Sequence, residues 1–472
     1  MQSPARALWT VLPLCLALCA QAADEPPAAV DDLPLATDPV LGALVSSALS
    51  TRPELRRGKA AAQAEGTRIS QSKALPDPVL SLGVQNDGFR TWQVGTSHTS
   101  WYEVGLSQSF PWPGKRRLRA GVAAQAHAQA EALVDRIRRT TEADVRRAYL
   151  ALLLARDQRA LLDELEALWR KAAETARIRY EAGDGPQSDV LRAQLEANRL
   201  RQRRWAIDAD EQLQRQALNR LRGSDLDAPL TTSVSLRDLA LPQLVSDEEA
   251  HAHAERFSPE LAAARLGARR ATARTALARR ERMPDFNVSA MVMPRGDLDT
   301  MWKAGVAVGL PVWSAQKQQR ALAESEARAT VEAETAQALA QVLRQRVAER
   351  RVVLKALADT VNLYRQGLLV QSRATAESTL SQYKIGKVSF ASVLDAYVGY
   401  LSDEQSYLVA VADAQRVAIA RAEIALEPVR ASILGGAAAT MPSGGAMGAD
   451  SATAASPATP ASEAPSTLEM GM

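Results

Sequence analysis

Thiol chemistry is almost absent from this chain of 472 residues: its two cysteines, Cys15 and Cys19, both lie near the N-terminus. Downstream there is no disulfide framework and no cysteine-built metal site. Aromatic residues are scarce at 4%, while Ala, Leu, Arg, Glu and Gln fill long stretches with few Gly or Pro. That bias favours extended helices over a string of ordinary globular domains. Charge of one sign is missing as well. Lys plus Arg number 57 against 54 for Asp plus Glu, so no global field draws the protein to nucleic acid. His251 and His253 are two apart, point in different directions on a helix and make a poor metal pair. No Ser-His-Asp, HExxH, Walker or GxGxxG constellation occurs, so neither an enzyme nor a bound cofactor is expected. After residue 23 no stretch is apolar for long enough to make a spanning helix. Residence in a membrane would therefore require a β-barrel.

What is present begins with an export signal. In residues 1–22, Arg6 supplies the positive start, Leu8 to Ala20 is apolar apart from Thr10, and Ala20-Gln21-Ala22 is a small-x-small cleavage site. Lipidation at Cys19 is an alternative, which the bulky Leu18 before it fits poorly. Residues 23–40 form a Pro- and Asp-rich leader. Residues 429–472 lack periodicity and read as a disordered low-complexity tail.

Between these ends the chain repeats itself. Arg52-Pro53-Glu54-Leu55 returns as Ser258-Pro259-Glu260-Leu261, and Leu75-Pro76-Asp77 as Met283-Pro284-Asp285. Tyr180-Glu181-Ala182-Gly183 returns as Tyr383-Lys384-Ile385-Gly386. The offset is about 200 residues, far beyond a solenoid period, and marks a duplicated half-molecule. The first structural repeat is 41–223, a linker follows at 224–246, and the second repeat is 247–428. Each half orders helix, two strands, very long helix, tight turn, helix.

Gly114 to Tyr180 contains no proline and one interior glycine, Gly121; Ala315 to Tyr383 has only Gly367. At 1.5 Å per residue each would run about 100 Å. Apolar positions fall at coiled-coil spacing: Leu162, Leu165, Trp169, Ala172 and Ala176 in the first, Val347, Leu354, Val361 and Leu368 in the second. Four stretches alternate instead with period two. Leu80, Leu82 and Val84 share one face, as do Tyr102, Val104, Leu106 and Phe110; the second repeat offers Phe286, Val288, Ala290, Val292 and then Ala304, Val306, Val308 and Leu310. Each is roughly as long as a tilted strand crossing a bilayer. Four such strands cannot close a barrel, and open edges in lipid leave hydrogen bonds unmade. Three copies would supply twelve strands around an aqueous lumen, continued below by a tube of long helices. A soluble periplasmic coiled-coil scaffold is the competing class, but it gives no reason for four alternating stretches at duplicated positions.

Over residues 41–427 the sequence resembles the TolC-type outer membrane efflux proteins. The resemblance rests on the duplicated layout, on Phe110-Pro111-Trp112-Pro113-Gly114-Lys115 and on the two Tyr-x-x-Gly turns. It implies a mostly α protein with a small β part. Long-helix hairpins would form an α-barrel, and four strands per subunit would enter a trimeric 12-stranded barrel in outer-membrane lipid. It also implies a homotrimer docked on a periplasmic adaptor (membrane fusion) protein and an inner-membrane RND-type pump, with no nucleic acid. The Pro-Trp-Pro-Gly-Lys segment and the Pro-Asp strand entries look most like the heavy-metal branch; drug-type efflux and type I secretion stay open.

By the same resemblance Tyr383 matches the gating tyrosine, Asp189 its acidic partner, and Asp395 one member of a constricting acidic ring. The gating arginine falls at Val388 and the second ring acid at Ser392; Lys387 is a candidate substitute for the arginine. Gly183 and Gly386 are helix C-caps at a tip where an adaptor would dock. The plainer readings are an acid at a helix start for Asp189 and Asp395 and turn packing for Tyr180 and Tyr383. Lys115-Arg116-Arg117-Leu118-Arg119 reads as a solvated helix start or a run meeting lipid headgroups. Met291 and Met293 share a strand face, as lumen or packing residues or as a soft-metal contact.

Overall fold

Proline and capping side chains set where the helices begin. In the computed structural model, which describes residues 33–428, helix α1 (Pro39–Thr51) starts after Asp38, whose carboxylate accepts from Val40 N at 2.9 Å. The signal peptide, the start of the leader and the tail at 429–472 lie outside the described residues. The single helix expected at the start of the first repeat is two helices, because Pro53 cannot continue one; α2 runs Pro53–Lys73. The second repeat breaks at the matching place, into α5 (Asp247–Phe257) and α6 (Pro259–Glu281), with Ser258 Oγ accepting from Leu261 N. The remaining elements are β1 (Val79–Gln85), β2 (Trp101–Phe110), α3 (Lys115–Glu181), α4 (Gln187–Arg222), β3 (Phe286–Arg295), β4 (Leu298–Val308), α7 (Gln318–Leu363), α8 (Leu369–Lys384) and α9 (Phe390–Glu423). Helix α3, at 67 residues, is about 100 Å long.

The seam positions read from the sequence in α3 are all buried. The second long helix differs from expectation. Between α7 and α8 a π-turn at Tyr364–Leu368 has Leu369 N–H reaching back to Tyr364 O. A π-turn adds one residue to the helix. The seven-residue row Val347, Leu354, Val361 therefore does not continue to Thr375 and Gln382. It restarts one position later, at Leu369, Ala376 and Tyr383.

Around α3 the core is fixed by a buried polar knot. Tyr149 Oη and Ser233 Oγ both donate to Asp38, at 2.5 and 2.6 Å, tying the start of α1, the middle of α3 and the linker together. Leu33 and Leu35 pack into this core.

The four strands form one antiparallel sheet in sequence order. Its register aligns Leu80, Leu106, Ala290 and Ala304 across the sheet, and beside them Leu82, Val104, Val292 and Trp302. These side chains make one apolar face that the chain leaves bare: Leu82, Trp302 and Val306 are 72%, 78% and 68% exposed. The opposite face carries Ser81, Gly105, Met291 and Lys303 in one row and the pair Met293–Met301 in another. Both β1 and β4 are edges with no further partner among the described residues.

Sheet and shaft are joined by a charge that the sequence placed at the surface. Lys115 is 3% exposed, and its Nζ donates to Asp285 Oδ1 and to Met283 O, each at 2.7 Å. Asp285 also accepts from Trp112 N at 2.8 Å. Neither a solvated helix start nor a headgroup contact describes Lys115; the carboxylate contributed by the other repeat draws it inward. Arg116 likewise donates to Lys73 O. Lys115→Met is expected to lower stability by about 2 kcal/mol, the scale of a charge-assisted hydrogen bond, read as a fall in the unfolding temperature of the purified protein.

Candidate functional site at the helix tips

Opposite the sheet, each repeat ends in a turn between two long helices, and the two turns are built alike. Gly183 and Gly386 have φ of 80° and 73°, the left-handed conformation that closes a helix C-terminus and disfavours other residues. Asp184 N donates to Arg179 O at 2.8 Å and Lys387 N to Gln382 O at 3.0 Å, the same six-residue closure in both copies. Beyond the turns α4 and α9 begin, the latter capped by Ser389 Oγ.

The turns differ in what they bury. Tyr180 is exposed on the surface, whereas Tyr383 is 1% exposed. Tyr383 Oη donates to Asp189 Oδ2 at 3.1 Å, joining the second hairpin to the first α4 turn across 194 residues of sequence. Its ring lies 5.3 Å from Phe390, which in turn meets Trp169 at 6.5 Å. Burial, and then the Asp189 hydrogen bond, push the Tyr383 phenol up to about 12. Thus the structure brings Tyr383 and Asp189 together, and packing and pairing are the same arrangement.

The other candidates stand apart. Asp395 is exposed on α9, and Lys387 is exposed beyond Gly386. The cation beside the Tyr383–Asp189 pair is Arg179, which the sequence reading did not single out. Its Nη1 donates to Tyr383 O at 2.6 Å, its Nη2 to Asp184 O at 2.9 Å, and its guanidinium sits 4.8 Å over the Tyr383 ring. One side chain therefore ties both turns. The close fit reaches Gly386, where an added Cβ would lie 3.3 Å from Arg179 Nη2. A signal existed: the duplicated turns read Arg179-Tyr180 in one copy and Gln382-Tyr383 in the other, so position 179 breaks the internal symmetry.

Phase matters as much as identity. Because the π-turn holds one extra residue, deleting Gly367 should leave the phase of α8 unchanged, whereas inserting one alanine after Leu369 should turn the residues that follow by about 100°, one residue's rotation, carrying Tyr383 out of the seam. The expected result of the insertion is a tip as accessible to added protease as that of Tyr383→Ala, with the sheet unchanged by infrared spectroscopy.

No group of three or more His, Cys, Asp or Glu that could hold a metal occurs among the described residues, and no helix there is long and apolar enough to cross a membrane. A sheet with a bare apolar face and open edges, carried on a shaft about 100 Å long that ends in paired hairpin tips, has the architecture of an outer-membrane channel with a periplasmic helical extension. Residues 44–224 match the family model described as outer membrane efflux protein. No curated protein sequence matches the chain. Among solved structures, the channel CusC superposes with a TM-score of 0.71 at 18% identity, over 82% of this chain and 92% of its own. The outer membrane protein VceC of Vibrio cholerae gives 0.67 at 19%, covering 82% and 96%. The MtrE outer membrane channel of Neisseria gonorrhoeae, in its open state, gives 0.66 at 19%, covering 82% and 89%. The resemblance to the TolC-type outer membrane efflux proteins is borne out, by the family model over the first repeat and by fold over the described length.

Proposed function

We propose that this protein is the outer-membrane channel subunit of a tripartite efflux system, a passive duct that spans the outer membrane and extends across the periplasm. The observation that carries the reading is the four-stranded sheet with an apolar outer face and two unpaired edges. Such a sheet is stable in lipid only when other copies complete the wall. Three copies give twelve strands, with Ser81, Gly105 and Lys303 turned toward the lumen. Trp302 and Trp313, exposed toward opposite ends of the sheet, suit the two membrane interfaces. The driving energy comes from partners, a periplasmic adaptor on the hairpin tips and an inner-membrane RND-type pump. The test is fractionation: a trimer extracted from the outer membrane by detergent and dissociated by heat is expected, and a soluble monomer would overturn the reading.

Within this duct Tyr383, Asp189 and Arg179 form the latch that holds the two hairpins of a subunit together, in place of an arginine at 388. Gly183 and Gly386 shape the turns that face the adaptor, while Asp395 and Lys387 set the charge of the constriction. Heavy-metal cations are the proposed cargo, favoured over drugs or secreted proteins by three thioethers, Met291, Met293 and Met301, gathered on the lumen face of adjacent strands. Loss of resistance to soft metal ions in a strain lacking the protein, with drug resistance retained, is the expected phenotype.

A further inference from the structure

Midway along the shaft, α5 lies over α7 and α9 and leaves a cleft of about 270 Å³ between them. Its floor is aliphatic, formed by Leu244, Val347, Leu354 and Val417. Arg350, Arg351 and Arg421 line it beside one carboxylate, Glu249, which is held in the α5 cap by Ser246 Oγ at 2.8 Å; Arg351 is paired with Asp247, and Arg421 donates to Gln243 O at 2.7 Å.

Arg350 is the unusual member. It is 4% exposed, yet among the described residues its Nη2 reaches only the carbonyls of Ala425 and Glu427, and its Nε has no partner there. The carboxylates whose charge acts on it are engaged elsewhere: Glu423 with Arg147 at 2.5 Å, Glu349 with Arg346 at 2.6 Å, Glu260 with Arg136 at 2.7 Å. Burial pushes the Arg350 guanidinium down to about 10. A buried cation left without its own anion is costly. His253 lines the same cleft, and its Nε2 is also buried without a partner among the described residues.

We propose that this cleft binds an amphipathic anion, a medium-chain alkyl carboxylate, with the carboxylate on Arg350 Nε and His253 Nε2 and the alkyl chain along the aliphatic floor. The space suits roughly nine or ten heavy atoms at the ~30 Å³ of a water molecule each, which is the size of octanoate. Neutral alcohols of equal length fill the floor equally but leave the guanidinium unpaired. The site is independent of the tip and of the cargo.

Calorimetric titration of the full-length protein in a neutral maltoside detergent tests it. Octanoate should bind saturably, and 1-octanol about tenfold to a hundredfold more weakly, the value of a charge-assisted hydrogen bond. Arg350→Met should lose octanoate binding by a similar factor; replacing a buried charge by an apolar side chain is tolerated where removal of one member of a pair is not. Ala250→Phe, which keeps Arg350 and fills the cleft from α5, should abolish binding of both, and serves should Arg350→Met not fold. Equal affinity for octanoate and octanol, no saturable binding, or unchanged binding in both variants would each overturn the proposal. So would binding that arises only once residues 429–472 are deleted, since the chain's own tail would then be the occupant.

Discussion

Removing the latch, by Tyr383→Phe together with Arg179→Ala, is expected to raise the conductance of the channel reconstituted in planar bilayers, and to do so more than either change alone. Tyr383→Phe deletes the donor to Asp189 and leaves a buried carboxylate short of a partner, a loss of about 1.5–3 kcal/mol. Arg179→Ala deletes two hydrogen bonds to carbonyls on different turns and a cation placed over an aromatic ring. Each loss of 1.4 kcal/mol shifts a closed-to-open ratio about tenfold, so the pair moves it by roughly two powers of ten. The groups share Tyr383, and the two effects will not add. Tyr180→Phe, at the exposed equivalent position of the first turn, serves as the control and should leave conductance near that of the parent. The pH dependence has a definite sign. Because the folded phenol is held above its ordinary value of 10.0, the neutral donor is fully present below that value and is lost only as pH rises through about 12. Tyr383 therefore contributes no opening between pH 5 and 9, and a conductance step in that window would have to come from another group.

The second large effect concerns neighbouring residues on opposite faces of β2. Leu106→Arg puts a charge at the centre of the apolar face, flanked by Leu80 and Ala290, and should destabilise the membrane-inserted form by about 2–4 kcal/mol per subunit. Ser107→Arg, one residue on, points to the polar face between Val79 and Ser289 of the adjacent strands and should assemble normally while shifting ion selectivity toward anions. Outer-membrane yield of heat-sensitive trimer reads the first, and reversal potential across a salt gradient reads the second. Equal tolerance of both arginines would mean that neither face meets lipid.

Much of this architecture was written locally. Period two in Leu80–Val84 and period three-and-four in Leu162–Ala176 each define one apolar face, so the elements could be read from windows of ten to twenty residues. The duplicated turns placed both tips, and the resemblance named Tyr383 and Asp189. What escaped depends on distance along the chain. Lys115 looks like the head of a basic run until Asp285, 170 positions later, folds against it. Arg179 sits among helix-surface arginines until Tyr383, 204 positions on, offers its carbonyl. The π-turn escaped for another reason: Tyr364–Leu368 keeps helical dihedral preferences, and the only trace is that apolar positions resume one residue late.

The two raw borders of the sheet have a genetic consequence. A lone copy has nowhere favourable to leave the main-chain groups of β1 and β4, so the wall is a collective property whose stability depends on how many sound copies meet. A defective copy that still offers one good border would be recruited and would spoil the ring it joins. Alleles with lesions confined to a single edge strand should therefore act dominantly over a normal copy, whereas alleles that remove the protein altogether should be recessive.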